Sequence, residues 1–270
     1  MSLTNKVDMH IHSDNSFDGH HSVILLCEHA CLKGVRGIAI TDHCEIDSKT
    51  MDFRALTLNS YVNSRLAQKV FSGNLIVMQG IELGQAIYNK PLAEKILSEF
   101  EYDFVLGSIH NLENMEDFFF LDFKNYSVDD LMRRYFEAEL ELAQWNQFDS
   151  LAHLTYPLRY LVDREDLYLD LKPYQKLIDE ILLTLVKNNK ALEINTSGLF
   201  MKMHSTLPDA PVVRRFKELG GKYITVGSDS HYADRIGNGI EEGMQLAKQC
   251  GFDFITIYHK REPVMIPIED

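Results

Sequence analysis

The chain has 270 residues, 45% apolar and 25% charged, which is enough to bury a full core and within the size of one α/β barrel. Its formal net charge of −13 argues against general nucleic-acid binding, and no apolar run approaches the roughly 18 residues of a membrane span. An anionic small substrate stays open, because bound divalent cations reverse the local charge.

The first predicted element is a strand over Lys6–His12. Apolar and polar side chains alternate there, which throws Asp8, His10 and His12 onto one face. Two imidazoles so placed can grip one cation; taken alone, the same pattern also suits a polar-sided edge strand. The residues before it lack the basic-then-apolar pattern of a signal peptide, so the expected compartment is the cytoplasm. Ser22 caps a helix that runs to about Lys33 and ends at Gly34. Arg36–Thr41 is the next strand, and Met51–Phe71 a long amphipathic helix. Strands follow over Leu75–Glu82 and Phe104–His110, then an amphipathic helix over Ser127–Trp145 and a strand over Ser150–His153. A helix over Lys172–Lys187 leads to a strand over Ala191–Asn195. Pro211 opens a helix that stops at Gly220-Gly221, as proline in a first turn allows. Strand Tyr223–Gly227, helix Asn238–Cys250 and strand Phe254–Tyr258 complete the series, and Glu262–Glu269 reads as an extended tail covering an edge. Seven or eight strands separated by helices, with no linker or repeat, predict one domain over residues 1–270, an α/β fold built as a parallel barrel. The four cysteines (Cys27, Cys31, Cys44, Cys250) suit reduced, mostly buried thiols.

The carboxyl ends of these strands share a chemistry. The first ends in His10 and His12, the second runs into Thr41-Asp42-His43, and the third into Glu82. The next two reach His110 and His153, and a later one runs through Gly227-Ser228 into Asp229 and His231. Barrel enzymes gather their chemistry at that end. Six histidines and several carboxylates converging there are costly to desolvate unless cations bind them. As ligands they suit zinc, iron or manganese.

The segments Asp8-x-His10-x-His12, Thr41-Asp42-His43, Gly80-Ile81-Glu82, Gly107-Ser108-Ile109-His110, Ala152-His153 and Gly227-Ser228-Asp229-Ser230-His231 resemble the polymerase and histidinol phosphatase (PHP) superfamily. The likeness covers essentially the whole chain. Ser16-Phe17-Asp18-Gly19, the pair Arg159-Tyr160, and the run from Glu193 to Leu199 make it most similar to the histidinol-phosphate phosphatase branch. The resemblance implies a distorted (β/α)7 TIM-like barrel with a metal site at the carboxyl ends of its strands. It also implies three divalent metal ions. Carried over by motif, one ion takes His10, His12, Glu82 and Asp229; a second takes Glu82, His110 and His153; a third takes Asp18, His43 and His231.

The implied reaction is hydrolysis of L-histidinol phosphate to L-histidinol and phosphate, in histidine biosynthesis. A hydroxide bridging two cations is the expected nucleophile, and Asp229 or His231, acting through a metal-bound water, the expected proton donor to the leaving group. Arg159 is expected either to hold a phosphate oxygen in its planar fork or to form a surface ion pair. Where the branch commonly carries a second arginine stands Phe200, and Lys202 is expected to supply a charge nearby. Asp8 and Asp42 are expected to orient imidazoles. Glu113–Asp117, ahead of Phe118-Phe119-Phe120, reads as a loop at the mouth. Two other readings compete. One is a PHP phosphoesterase acting on another small phosphate ester or a nucleotide; relatives that trim nucleotides usually carry an insertion, for which the short spacing of Glu82, His110 and His153 leaves no room. A non-catalytic metal-binding module should have lost ligands. The expected partner is therefore a small phosphate ester, with no nucleic acid and no membrane; oligomeric state has no signal here.

Overall fold

A computed structural model describes residues 5–47 and 52–269. It opens with β1 (Val7–Ile11), α1 (Val23–Leu32), β2 (Gly37–Ile40), β3 (His43–Glu45) and α2 (Phe53–Val70). Next come β4 (Ile76–Gly84), α3 (Lys90–Glu99), β5 (Phe104–Ser108), α4 (Val128–Trp145), β6 (Ser150–Leu151) and α5 (Pro157–Glu165). The chain closes with α6 (Gln175–Lys187), β7 (Ala191–Asn195), α7 (Ala210–Glu218), β8 (Ile224–Gly227), α8 (Ile240–Gln249), β9 (Phe254–His259) and β10 (Glu262–Pro267). The expected Met51 start of the second helix lies outside the described residues; the helix is described from its Asp52 cap onward.

The strands pair in parallel in the order β1-β2-β4-β5-β6-β7-β8. β3 continues the line of β2 along β4 in unchanged register, Gly37 facing Ile76 and His43 facing Glu82. The break falls at Thr41-Asp42. There Thr41 N–H turns to the Ile11 carbonyl, and the Asp42 carbonyl accepts from Glu82 N–H. Counting β2 and β3 as one interrupted strand leaves seven. A parallel bridge between Ile11 and Ser230 joins the end of β8 to β1 and closes the ring. Helices cover the outside, so β1, β2, β5, β7 and β8 are buried at every position.

The eighth predicted strand does not join the ring. β9 pairs antiparallel with β10, which is what the expected tail forms instead. This hairpin sits against the amino ends of the barrel strands. Thr256 Oγ1 accepts from Ile224 N–H, Tyr258 OH donates to the Asp149 carbonyl, and Asp103 Oδ1 accepts from Lys260 N–H at 3.0 Å. With that end plugged, the open end of the barrel is the carboxyl one.

Local signals account for most helix ends. Ser22, Ser127 and Asp209 cap α1, α4 and α7 through side-chain oxygens, and Gly34 takes the positive φ that ends α1. Two helices absent from the sequence expectations, α3 and α5, are each about three turns long or less. Both carry proline in the first turn, and Asn89 caps α3. Their shortness keeps the apolar period from standing out. No helix among the described residues is long and apolar enough to cross a membrane.

Candidate metal centre

Because side chains alternate along β1, His10 and the adjoining His12 emerge on one face at its carboxyl end. Glu82 from β4 stands at the middle of the cluster, fully buried. Its Oε1 lies 3.1 Å from His110 Nε2 and 3.0 Å from His153 Nε2. Its Oε2 lies 2.8 Å from His43 Nδ1, 3.4 Å from His10 Nε2 and 3.6 Å from His12 Nε2. Asp229 closes the far side, its Oδ1 3.4 Å from His12 Nε2 and 3.6 Å from His10 Nε2. Asp18, from the loop after β1, reaches His231 Nε2 at 3.1 Å and His43 Nε2 at 3.7 Å. All nine side chains expected to bind metal thus meet at one place.

These groups do not satisfy one another. His10 Nε2, His12 Nε2, His231 Nε2, His43 Nδ1, Glu82 Oε2 and Asp18 Oδ1 are buried without a hydrogen-bond partner. Orphaned atoms of that kind are costly, and divalent cations are what imidazole and carboxylate donors so aimed would satisfy. Among the described residues, four triads hold their ligand atoms close enough together for an ion: His10/His12/Glu82, His43/Glu82/His110, His10/His153/Asp229 and His12/His43/His231. The donor set therefore fits metal.

Three of the ring nitrogens facing away from the cluster are fixed by partners. His10 Nδ1–H donates to Glu193 Oε1 at 2.7 Å, and His110 Nδ1 lies 3.0 Å from Glu45 Oε1. His12 Nδ1 bonds Ser16 Oγ, which in turn donates to Asp42 Oδ1. Each contact turns Nε2 inward. Glu193 reaches His10 only because residue 227 is glycine: a Cβ there would stand 2.4 Å from the His10 Cβ and 2.5 Å from Glu193 Oε1.

The electrostatics follow from this crowding. Burial alone would raise Glu82, yet the imidazoles of His110, His10 and His43 overturn it and hold the carboxyl well below its ordinary range. Burial pushes His10 and His110 down, but their carboxylate neighbours outweigh it and hold both well above the usual imidazole value. His12 goes the other way, lowered by burial and by the neighbouring His231 and His43.

Several expectations about the surroundings are corrected. Asp8 orients no imidazole; its oxygens accept the backbone N–H groups of Ser228 and Gly237, tying β1 to the loop after β8. Asp42 acts on His12 only through Ser16, while also holding Ser13 and Ser60. The carboxylates that do orient rings, Glu45 and Glu193, were not singled out as site residues. The signal for both was their alternation with apolar neighbours at strand ends. Lys202 is drawn away from the site, paired with Asp166 at 2.7 Å on the surface.

Arg159 is not a surface residue. It is buried, and Nη1 and Nη2 both lie 3.1 Å from Asp229 Oδ2, with Nη1 also 3.2 Å from Ser197 Oγ. Its guanidinium stacks 4.3 Å over the Tyr156 ring. Above the cluster opens a cavity of about 270 Å³, walled by Phe17, Asp117, Phe119, Phe120, Tyr156 and Tyr160. Phe118 is buried beneath that wall while Phe119 and Phe120 are exposed, so the expected mouth loop sets two of its three aromatic rings on the rim.

Residues 8–197 match the model of the PHP domain. A probable histidinol-phosphatase of Thermotoga maritima is 33% identical, over 94% of this chain and 97% of its own. The histidinol-phosphatase of Lactococcus lactis is 31% identical over 94% of each. The crystal structure of histidinol phosphate phosphatase from Lactococcus lactis, complexed with zinc, L-histidinol and phosphate, superposes with a TM-score of 0.83 at 26% identity, covering 96% of this chain and 99% of that one.

Proposed function

The chain belongs to the PHP family, and from that premise we propose that it is a metal-dependent phosphatase converting L-histidinol phosphate and water to L-histidinol and phosphate. The observation that carries this reading is the set of buried, unpartnered nitrogen and carboxylate atoms at the strand ends, opening onto an aromatic-walled cavity. The family match ends at residue 197, whereas Asp229 and His231 come from beyond it; closure of β8 on β1 supports one PHP-type barrel over the whole chain.

Three divalent ions, zinc, iron or manganese, are the proposed cofactors. His10, His12, Glu82 and Asp229 would hold the first, with Glu82 shared to the second beside His110 and His153. Asp18, His43 and His231 would hold the third. Bound there, such cations supply Lewis acidity toward water and phosphate oxygens. Arg159 fixes Asp229 by gripping Oδ2, which leaves Oδ1 facing His10 and His12. Its Nε–H has no partner and is available to a phosphate oxygen. His231 is less buried than the other cluster imidazoles and reaches the cavity. Asp229 is held charged by His10 and Arg159 against the pull of burial, so it has no proton for the departing alkoxide. His231 Nδ1 faces the Asp229 carbonyl at 3.0 Å, which leaves Nε2 as a ligand nitrogen, and a water beside His231 would supply that proton. The aromatic rings at the rim exclude water from the reacting group.

The test is release of inorganic phosphate by protein loaded with each metal in turn. L-Histidinol phosphate is expected to be preferred over nucleoside monophosphates by about a hundredfold or more in kcat/KM, a discrimination within reach of a polar recognition site. Equal rates across these esters would sink the substrate assignment.

A further inference from the structure

Beyond Asp229 and His231 the mouth opens into a second lobe, lined by Ser197, Phe200, Ser230, Tyr232, Arg235 and Asn238. It shares Asp18, Phe119, Tyr160, Asp229 and His231 with the aromatic cavity, so the strand-end cluster lies at the edge of both. The second lobe keeps rings in its wall (Phe119, Tyr160, Phe200 and Tyr232) but adds the hydroxyls of Ser197 and Ser230, the Asn238 amide and the Arg235 guanidinium.

The cations near the mouth are unequally free. Arg159 is committed to Asp229 and Lys202 to Asp166. Arg235 has no carboxylate partner among the described residues, and its guanidinium rests 4.9 Å from the centre of the Tyr232 ring. The segment carrying it is pinned on several sides. Lys33 Nζ donates to the Asp234 carbonyl and to the Ile236 carbonyl, and Asp8 Oδ2 accepts from Gly237 N–H at 2.9 Å. Ala233 N–H donates to His21 Nδ1 at 3.2 Å, and Thr196 Oγ1 donates to the Asn238 carbonyl at 2.7 Å. A free guanidinium on a fixed turn, stacked on a ring and facing a polar lobe, is preorganised for an anion.

Resting on the phosphatase reading, we infer that Arg235 is a second phosphate-binding guanidinium of this chain, beside the unpartnered Nε–H of Arg159. It receives phosphoryl oxygens in the polar lobe, while the organic part of the substrate occupies the aromatic one. Asp18, Glu45, Glu82, Glu193 and Asp229 surround the cluster with negative charge. A dianionic ester therefore needs a directional cation beyond the metals, and the fork of an arginine supplies it.

The experiment uses the full metal-loaded chain, with Arg235→Met, which keeps an apolar stem on Tyr232, and Arg235→Lys. Calorimetry measures binding of inorganic phosphate and of L-histidinol separately, and steady-state kinetics splits KM from kcat. Arg235→Met is expected to weaken phosphate binding and raise KM by about tenfold, with L-histidinol binding held within about twofold and partial recovery in Arg235→Lys. Phosphate binding by Arg235→Met within about twofold of the parent would overturn the assignment, as would equal weakening of both ligands. A parent that binds phosphate but does not turn over L-histidinol phosphate would remove the substrate reading alone; the calorimetric comparison still decides Arg235.

Discussion

Two glutamates with fully buried side chains in this molecule live by opposite rules. Glu82, at the strand ends, is surrounded by His10, His43, His110 and His153 and is held well below the ordinary carboxylate range despite its burial. Glu139, on α4 inside the apolar packing, has one donor, Tyr135 OH at 2.6 Å, and its second oxygen has none. Burial pushes Glu139 up to about 8. Burial is common to both, so it does not decide charge; the density of cationic partners does. The strand-end region is built to keep carboxylates ionised for cations, and the region behind α4 keeps one neutral.

The sharpest way to break this contrast is Glu82→Gln, which preserves shape and removes the charge. Loss of bound metal by elemental analysis and a fall of about a thousandfold or more in phosphate release are expected, since one carboxylate faces five rings. A variant that kept its metal and its rate would end the proposal that Glu82 is the shared ligand. Glu193→Gln tests the layer behind it. His10 loses a charged acceptor at Nδ1, and metal affinity is expected to fall about 10- to 100-fold in competition with a chelator.

Glu139→Gln should leave activity alone and change only how stability follows pH. The folded state holds its proton up to about 8, against an ordinary value of 4.5, so it binds more protons than the unfolded chain between those limits. That contribution to stability is full below about pH 4.5 and is lost as pH rises through about 8. Denaturant titrations of parent and variant across that window should differ in slope, by an amount on the order of a few kcal/mol over the whole range. Parallel curves would show that Glu139 is already ionised in the fold.

Much of the barrel was legible because its signals are local. Period-two alternation marked β1, β-rich apolar runs marked the other ring strands, and Ser22, Ser127 and Pro211 marked helix starts. The misplacement of Phe254–Tyr258 has a clear cause: a buried strand in a capping hairpin and one in a barrel carry the same apolar run, and only pairing separates them. The shared register of β2 and β3 was equally hidden, since Thr41-Asp42 reads as the end of a strand.

At the site, the sequence by itself determined which donors exist and where along each strand they fall, since alternation and strand ends are properties of neighbouring residues. Which groups face those donors was left to the tertiary structure. Glu193 meets His10 across 183 positions, Arg159 meets Asp229 across 70, and Lys33 reaches the turn of Arg235 from 203 positions away. Contacts that distant follow from how seven strands close into a ring and from which loops return over its mouth, and no local pattern encodes that closure.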